Sequence, residues 1–210
     1  MNKLADIRQE YSAKPLLEAQ MLDSPLQQFQ LWLDAYISIN PTEPTAMTVA
    51  TVAEDNTPDI RVVLLKGIWD EGFVFYTNYQ SAKGQAIQHN PSVALNFYWP
   101  ELFRQVRIKG LAKRLPAHLS DEYFNSRPYA SQCAAIISPQ SQEIESKQEL
   151  QKKLDDMIQT QQPLTRPEYW GGFVVYPSSV EFWQGQKGRF HDRLQYLKDE
   201  DDWRMLRLAP

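Results

Sequence analysis

Cysteine occurs once, at Cys133, so an intrachain disulfide and a cysteine-rich zinc site are both excluded. The three histidines, His89, His118 and His191, stand at no metal-ligand spacing, and no metal is expected. No apolar run reaches the roughly 18 residues of a membrane span, and the N-terminus carries no signal-peptide core. A cytoplasmic protein with no membrane partner is therefore expected. Positive charge is also in short supply: the formal net charge is −4, which argues against nucleic acid as the main partner. Any anion site must be a local cluster within an acidic chain. The common nucleotide loops G-x-G-x-x-G and G-x-x-x-x-G-K-[ST] are missing, as are a G-x-S-x-G elbow and an H-E-x-x-H helix. There is no Gly/Ser linker, repeat or low-complexity tract, so the 210 residues read as one domain with a real core.

What is present is a change of period. Residues 1–22 are polar and expected to be mobile unless a ligand orders them. Asp23-Ser24-Pro25 opens a helix, with a capping residue followed by Pro in the first turn, and Leu26, Phe29, Leu33, Tyr36 and Ile37 share one face. From Ala46 the period is two. Strands are expected over 46–53, 60–68, 73–77, 93–99 and 105–115, with a short helix from Ser81 to His89 between the third and fourth. A helical block follows at 117–126, 129–137 and about 143–161, punctuated by Pro128 and Pro139. Strands return at 172–176, 180–184, 189–197 and 203–208. Many short strands around one helical insertion predict a mainly β (α+β) fold: an antiparallel Greek-key barrel with peripheral helices.

Several basic and hydroxyl residues fall at strand ends and helix starts. In Glu181-Phe182-Trp183-Gln184-Gly185-Gln186-Lys187-Gly188-Arg189-Phe190-His191-Asp192-Arg193, alternation along a strand would put Arg189, His191 and Arg193 on one face. Such a cationic row suits an anion or an electron-rich ring, although a solvated edge strand explains it as well. Arg61 and Lys66 are five apart, and a regular strand would turn them to opposite faces, suiting two separate anions. Ser81-Ala82-Lys83 opens a helix just after Tyr76-Thr77 and could hold a phosphate through backbone N–H groups. Tyr123, Arg127 and Ser131 recur every fourth residue. Gln140-Ser141 reads most simply as the cap of the helix that follows, and Trp183 could pack on a flat ring.

Together these stretches resemble the pyridoxine/pyridoxamine 5′-phosphate oxidase family, over about residues 4–210. The resemblance is carried by Glu181-Phe182-Trp183 followed by Arg189-Phe190-His191-Asp192-Arg193, and by Arg61 to Lys66. Phe75-Tyr76-Thr77-Asn78, Arg104-Gln105-Val106, Tyr123-Phe124, Ser126-Arg127-Pro128, Ser131-Gln132, Trp170-Gly171-Gly172-Phe173 and Arg207-Leu208-Ala209-Pro210 extend it in family order.

The resemblance implies a split β-barrel over 23–210 with a helical insertion at about 117–161, binding FMN at a homodimer interface. It implies oxidation of pyridoxamine or pyridoxine 5′-phosphate to pyridoxal 5′-phosphate, with O2 as acceptor and H2O2 as product. Carried over by position, FMN would meet Arg61, Val62, Val63, Leu64, Leu65, Lys66, Tyr76, Thr77, Lys83, Gln105, Gln140, Ser141, Trp183 and Arg193. The substrate would meet Arg8, Tyr11, Lys66, Tyr123, Arg127 and Ser131, with Arg189 and His191 as catalytic residues against its ring. Two rivals remain: a carrier of pyridoxal phosphate without catalysis, and a split-barrel flavoprotein with another substrate. Two positions depart from the family pattern. Ala82 stands where the family usually has Arg, which removes one guanidinium from the flavin phosphate. Phe190 replaces an aliphatic residue and is expected to affect packing more than chemistry.

Overall fold

The computed structural model describes residues 3–6, 10, 11 and 13–210. In chain order the elements are α1 (Pro25–Ile37), β1 (Ala46–Val52), β2 (Pro58–Leu64), β3 (Gly67–Trp69), β4 (Gly72–Asn78), α2 (Ala82–His89), β5 (Ser92–Trp99) and β6 (Arg104–Arg114). They are followed by α3 (Ala117–Ser126), α4 (Tyr129–Ile137), α5 (Lys147–Thr160), β7 (Trp170–Gln184), β8 (Asp192–Asp199) and β9 (Asp202–Arg207). The strands form one sheet in the order β2-β1-β5-β6-β7-β4-β3, with β8 added to β7 and β9 to β8. The 15-residue β7 organises it: antiparallel β4 pairs with its first part, Trp170 to Val175, and antiparallel β8 with its last, Ser179 to Gln184.

Two compact units emerge from the contacts. One comprises Met1–Thr48, Ala94–Gly110 and Pro177–Pro210; the other comprises Val49–Val93 and Leu111–Tyr176. The first has an aromatic core. Ser24 caps α1 by accepting from the Gln27 N–H, with Pro25 in the first turn, and the helix thereby turns Phe29, Trp32, Leu33 and Tyr36 inward. Phe29 meets Phe97 at 4.8 Å between ring centroids, Trp32 meets Phe182 at 5.1 Å, and Tyr36 stacks on Trp99 at 5.4 Å. Burying each such ring is worth roughly 1.5–3 kcal/mol. Within this unit the described part of the N-terminal segment is fastened down. Leu16 donates its N–H to Asp192, Arg207 grips Glu18 and the Leu16 carbonyl, and the Tyr196 hydroxyl donates to the Leu22 carbonyl.

The second unit is built on β4 and the first part of β7. Phe73, Val74 and Phe75 are buried against Phe173, Val174 and Val175 in antiparallel register. Ser81 caps α2 by accepting from the Gly84 N–H. A side chain at Gly84 would put its Cβ 2.3 Å from the Tyr79 carbonyl oxygen, so glycine is what lets α2 close against the end of β4. That closure carries Lys83 inward.

Four sequence expectations about local structure need correction. The strands expected at 172–176 and 180–184 are one, β7. The strand expected over 60–68 is two strands, β2 ending at Leu64 and β3 starting at Gly67, so alternation does not extend from Arg61 to Lys66. The helix expected from about 143 begins at Lys147, capped by Ser146, and Gln140-Ser141 is not its cap. The strand expected over 189–197 begins at Asp192, while Arg189 closes a 3₁₀ turn (Lys187–Arg189) with φ +64°. Its backbone is therefore left-handed, and Arg189 does not share a strand face with His191 and Arg193. The Gln186 N–H donates to His191 Nδ1 at 3.0 Å, which closes the turn just before β8 begins.

Candidate active site

Chemistry-bearing side chains gather in two groups, one in each unit. In the second unit a cavity of about 810 Å³ is walled by Arg61, Val62, Val63 and Leu64 of β2, Lys66 of the following link, and Tyr76, Thr77 and Asn78 at the end of β4. Lys83 of α2, Tyr123 of α3, Arg127, Pro128, Ser131, Ala134 and Ala135, then Ser138, Gln140 and Trp170 complete it. The wall holds four cationic side chains and no carboxylate.

Lys83 is buried, and among the described residues its ammonium has only neutral oxygens as hydrogen-bond partners: Thr77 Oγ1 at 3.2 Å, Ser81 Oγ at 3.4 Å and Gln140 Oε1 at 3.4 Å. Burial pushes its pKa down and the Arg61 charge pushes it further, with Asp59 pulling weakly the other way. Gln140 also accepts from the Thr77 hydroxyl at 3.0 Å. Arg61 donates to Thr51 Oγ1 at 2.7 Å and pairs with Asp59 on its own strand.

Arg127 follows from local sequence. Pro128 disfavours helical backbone at the residue before it, so α3 stops and Arg127 is extended (φ −74°, ψ 151°) between two helices. Its guanidinium lies 4.6 Å from the centre of the Trp170 ring. Nη1 is buried without a hydrogen-bond partner among the described residues. Desolvation lowers the Arg127 pKa, opposed by Tyr123, but a guanidinium remains charged at any ordinary pH. Beside it, Tyr76 and Tyr123 stack at 3.8 Å, and both rings lie within 12° of the Trp170 plane. Burial, reinforced by Tyr123, pushes the Tyr76 phenol up to about 12.

The group in the first unit is aromatic and charged. Tyr11 sits edge-on to Phe103, Trp183 and His191, with ring centroids at 5.1, 5.7 and 5.4 Å, and Trp183 meets His191 at 4.7 Å. Because His191 Nδ1 accepts a backbone N–H, the neutral ring carries its proton on Nε2. Desolvation, then the Arg189 charge, pulls the His191 pKa down. Glu181 is buried beneath Arg193, which donates from Nε at 2.8 Å, and beneath Arg107, which forms a second ion pair. Burial alone would raise the Glu181 pKa, but Arg193 and Arg107 together hold it below the usual carboxylate range. Arg193 Nη1 donates to the Ala209 carbonyl at 2.8 Å, and Gln105 donates to Asn96 Oδ1 at 2.6 Å.

The structure thus brings Arg61, Val62, Val63, Leu64, Lys66, Tyr76, Thr77, Lys83, Tyr123, Arg127, Ser131 and Gln140 to one cavity. Arg61 and Lys66, expected on opposite faces, line the same space, because the strand breaks between them. Leu65 is core, and Ser141, with φ +71°, is not part of the wall. Gln105, Trp183, His191 and Arg193 belong to the other unit, where Arg189 is exposed on its turn. Phe190 is 78% exposed, so the packing role expected of it is not seen. Arg8 lies outside the described residues. Trp170, Asn78 and Ser138 were not expected in the wall; for Trp170 the signal was an aromatic residue set before two glycines at the start of a strand.

Residues 37–161 match the family model described as pyridoxamine 5′-phosphate oxidase, and residues 170–210 match the pyridoxine 5′-phosphate oxidase C-terminal dimerisation region. The chain belongs to the pyridoxine/pyridoxamine 5′-phosphate oxidase family. Curated relatives named pyridoxine/pyridoxamine 5′-phosphate oxidase include one from Legionella pneumophila, 49% identical over 99% of this chain and 97% of the relative. Another, from Chromobacterium violaceum, is 50% identical over 99% of this chain and 98% of the relative. Among solved structures, PhzG from Burkholderia lata in complex with tetrahydrophenazine-1-carboxylic acid superposes with a TM-score of 0.90 at 27% identity, covering 95% of this chain and all of that one. An FMN-binding protein from Nostoc punctiforme, related to pyridoxamine 5′-phosphate oxidase, shares the fold with a TM-score of 0.72 at 14% identity, covering 89% of this chain and 98% of that one. The expected fold class is borne out: this family's antiparallel split β-barrel with peripheral helices.

Proposed function

We propose that the protein is an FMN-dependent oxidase that converts pyridoxamine and pyridoxine 5′-phosphates to pyridoxal 5′-phosphate in the cytoplasm, using O2 and releasing H2O2. The observation that carries this reading is the cavity itself. It buries Lys83 among neutral oxygens and leaves Arg127 Nη1 without a partner, in a wall free of carboxylates. A buried cation without a counter-charge is costly, and a bound anion removes that cost. Two phosphates, one from the cofactor and one from the substrate, would account for four cations in one wall.

The residues present fit the cofactor. Lys83, Thr77 and Gln140, with Arg61 and the N-terminus of α2, would hold the FMN phosphate. Lys66, Tyr123, Arg127 and Ser131 would hold the substrate phosphate. FMN, when bound, supplies the two-electron acceptor, which O2 reoxidises. The protein's part is orientation and electrostatics. Arg189 would lie against the substrate ring, and His191, neutral with its proton on Nε2, would present a hydrogen-bond donor. For the amine, the imine left on the substrate is hydrolysed by water. We further propose a homodimer with its active sites at the subunit interface, assembled through the C-terminal segment that matches a dimerisation region.

The test is to add FMN and pyridoxamine 5′-phosphate under air and follow peroxide and aldehyde together. Equal amounts of both support the proposal. A flavin-bound protein that forms no aldehyde points to another substrate, and a colourless protein that ignores FMN points to a carrier.

A further inference from the structure

An arginine that must hold a substrate phosphate has to be fixed in place without losing its charge or its donors. A carboxylate would fix it but would occupy the guanidinium fork and neutralise it. Arg127 is fixed in another way. Its guanidinium lies over the Trp170 indole at 4.6 Å, and Nη1 remains buried and unpartnered. An aromatic face attracts a cation while using none of its N–H groups.

Trp170 is itself held firmly. Arg166 Nη1 donates to the Trp170 carbonyl at 2.6 Å, and Arg166 Nε is paired with Asp121 of α3 at 2.7 Å. Trp170 also pairs with Asn78 at the start of β7, and the residue is only 7% exposed. Tyr123, on the same helix as Asp121, lies nearly parallel to the indole, with planes 5° apart and centroids at 6.2 Å. The indole therefore meets the arginine and runs parallel to a ring placed beside the proposed phosphate position.

We propose that Trp170 is a positioning residue. It holds Arg127 in the cavity with charge and donors free, and so sets the preference for a phosphorylated ligand over its unphosphorylated counterpart. This rests on the proposed function for the identity of the ligand, but its test does not require turnover.

The experiment titrates FMN-loaded enzyme with 4-deoxypyridoxine 5′-phosphate, which has no oxidisable group at C4′, and with 4-deoxypyridoxine. Wild type, Trp170→Phe and Trp170→Leu are compared. Trp170→Leu should weaken binding of the phosphorylated ligand by about 5- to 30-fold, from the upper end of an exposed cation–π contact to the lower end of a desolvated one, and Trp170→Phe by no more than about 3-fold. Neither should alter binding of the unphosphorylated ligand, and flavin should be retained. In turnover, KM for pyridoxamine 5′-phosphate should rise with kcat within about 2-fold.

Wild-type affinity in Trp170→Leu, or an equal loss for both ligands, overturns the assignment, as does a loss in Trp170→Phe matching that in Trp170→Leu. If Trp170→Leu does not fold, the small loss in Trp170→Phe must vanish in an Arg127→Ala background, and a loss that persists refutes the proposal. A wild type that binds the phosphorylated ligand but oxidises nothing defeats the proposed function alone, while the titrations still decide the role of Trp170.

Discussion

Replacing Lys83 by Met separates stability from cofactor binding. The Lys83 side chain is buried, and its three neighbouring oxygens are neutral and lie at 3.2–3.4 Å, long for charge-assisted hydrogen bonds. Asp59, the carboxylate whose charge acts on Lys83, is already engaged by Arg61. In the flavin-free protein the ammonium therefore sits where burial disfavours it, which is the cause of its lowered pKa. Methionine keeps the volume and removes the desolvated charge, so the flavin-free Lys83→Met protein should unfold at a temperature equal to or above wild type. With FMN the sign reverses. A charged hydrogen bond to phosphate is worth roughly 1.5–3 kcal/mol, so the variant should bind FMN about 10- to 150-fold more weakly. Fluorescence quenching of free flavin gives the affinity, and circular dichroism melts without FMN give the stability. Unchanged FMN affinity would show that Lys83 does not hold the flavin phosphate, and a flavin-free melt several degrees below wild type would show that its charge is not a burden.

Other perturbations extend the account. Ala82 is exposed in the first turn of α2, so Ala82→Arg should enter without a core clash and strengthen FMN binding by about 10-fold or more, read by the same titration. Arg189→Met should lower turnover far more than FMN affinity, which steady-state kinetics beside the titration would show. Glu181→Ala leaves Arg107 and Arg193 unpaired, but their side chains are 48% and 25% exposed and can hydrate, so it should cost about 1–2 kcal/mol in urea unfolding, between an exposed and a buried pair. Because the Glu181 carboxyl is held below its usual range when folded, its contribution should be complete above about pH 4.5 and fade as pH falls through the lowered folded value. Wild type but not Glu181→Gln should show that loss in acid melts.

Local punctuation made much of this structure legible beforehand. Ser24-Pro25 and Ser81 announced their helices, and Pro128 marked the break that aims Arg127 into the cavity. Alternation failed where the chain left a strand. Arg189 takes a left-handed backbone in a turn that carries Gly188 in the same region, and strand period says nothing about such a turn. The break after Leu64 brought Arg61 and Lys66 to one cavity for the same reason. Two strands were expected at 172–176 and 180–184, yet β7 is continuous across Pro177. On that edge β4 pairs up to Val175 and β8 from Ser179, so the proline falls where neither needs its missing N–H. Gln140 read as a cap because its true partners, Thr77 and Lys83, lie about 60 residues away in sequence. Only the fold could supply them.

One basic cavity is proposed to receive two phosphates. The most direct measurement is a crystal structure with FMN and pyridoxal 5′-phosphate bound. It should show the cofactor phosphate on Lys83, Thr77 and Arg61, and the second phosphate on Arg127, Lys66 and Ser131. A phosphate held elsewhere, with Lys83 or Arg127 left facing neither, would contradict it.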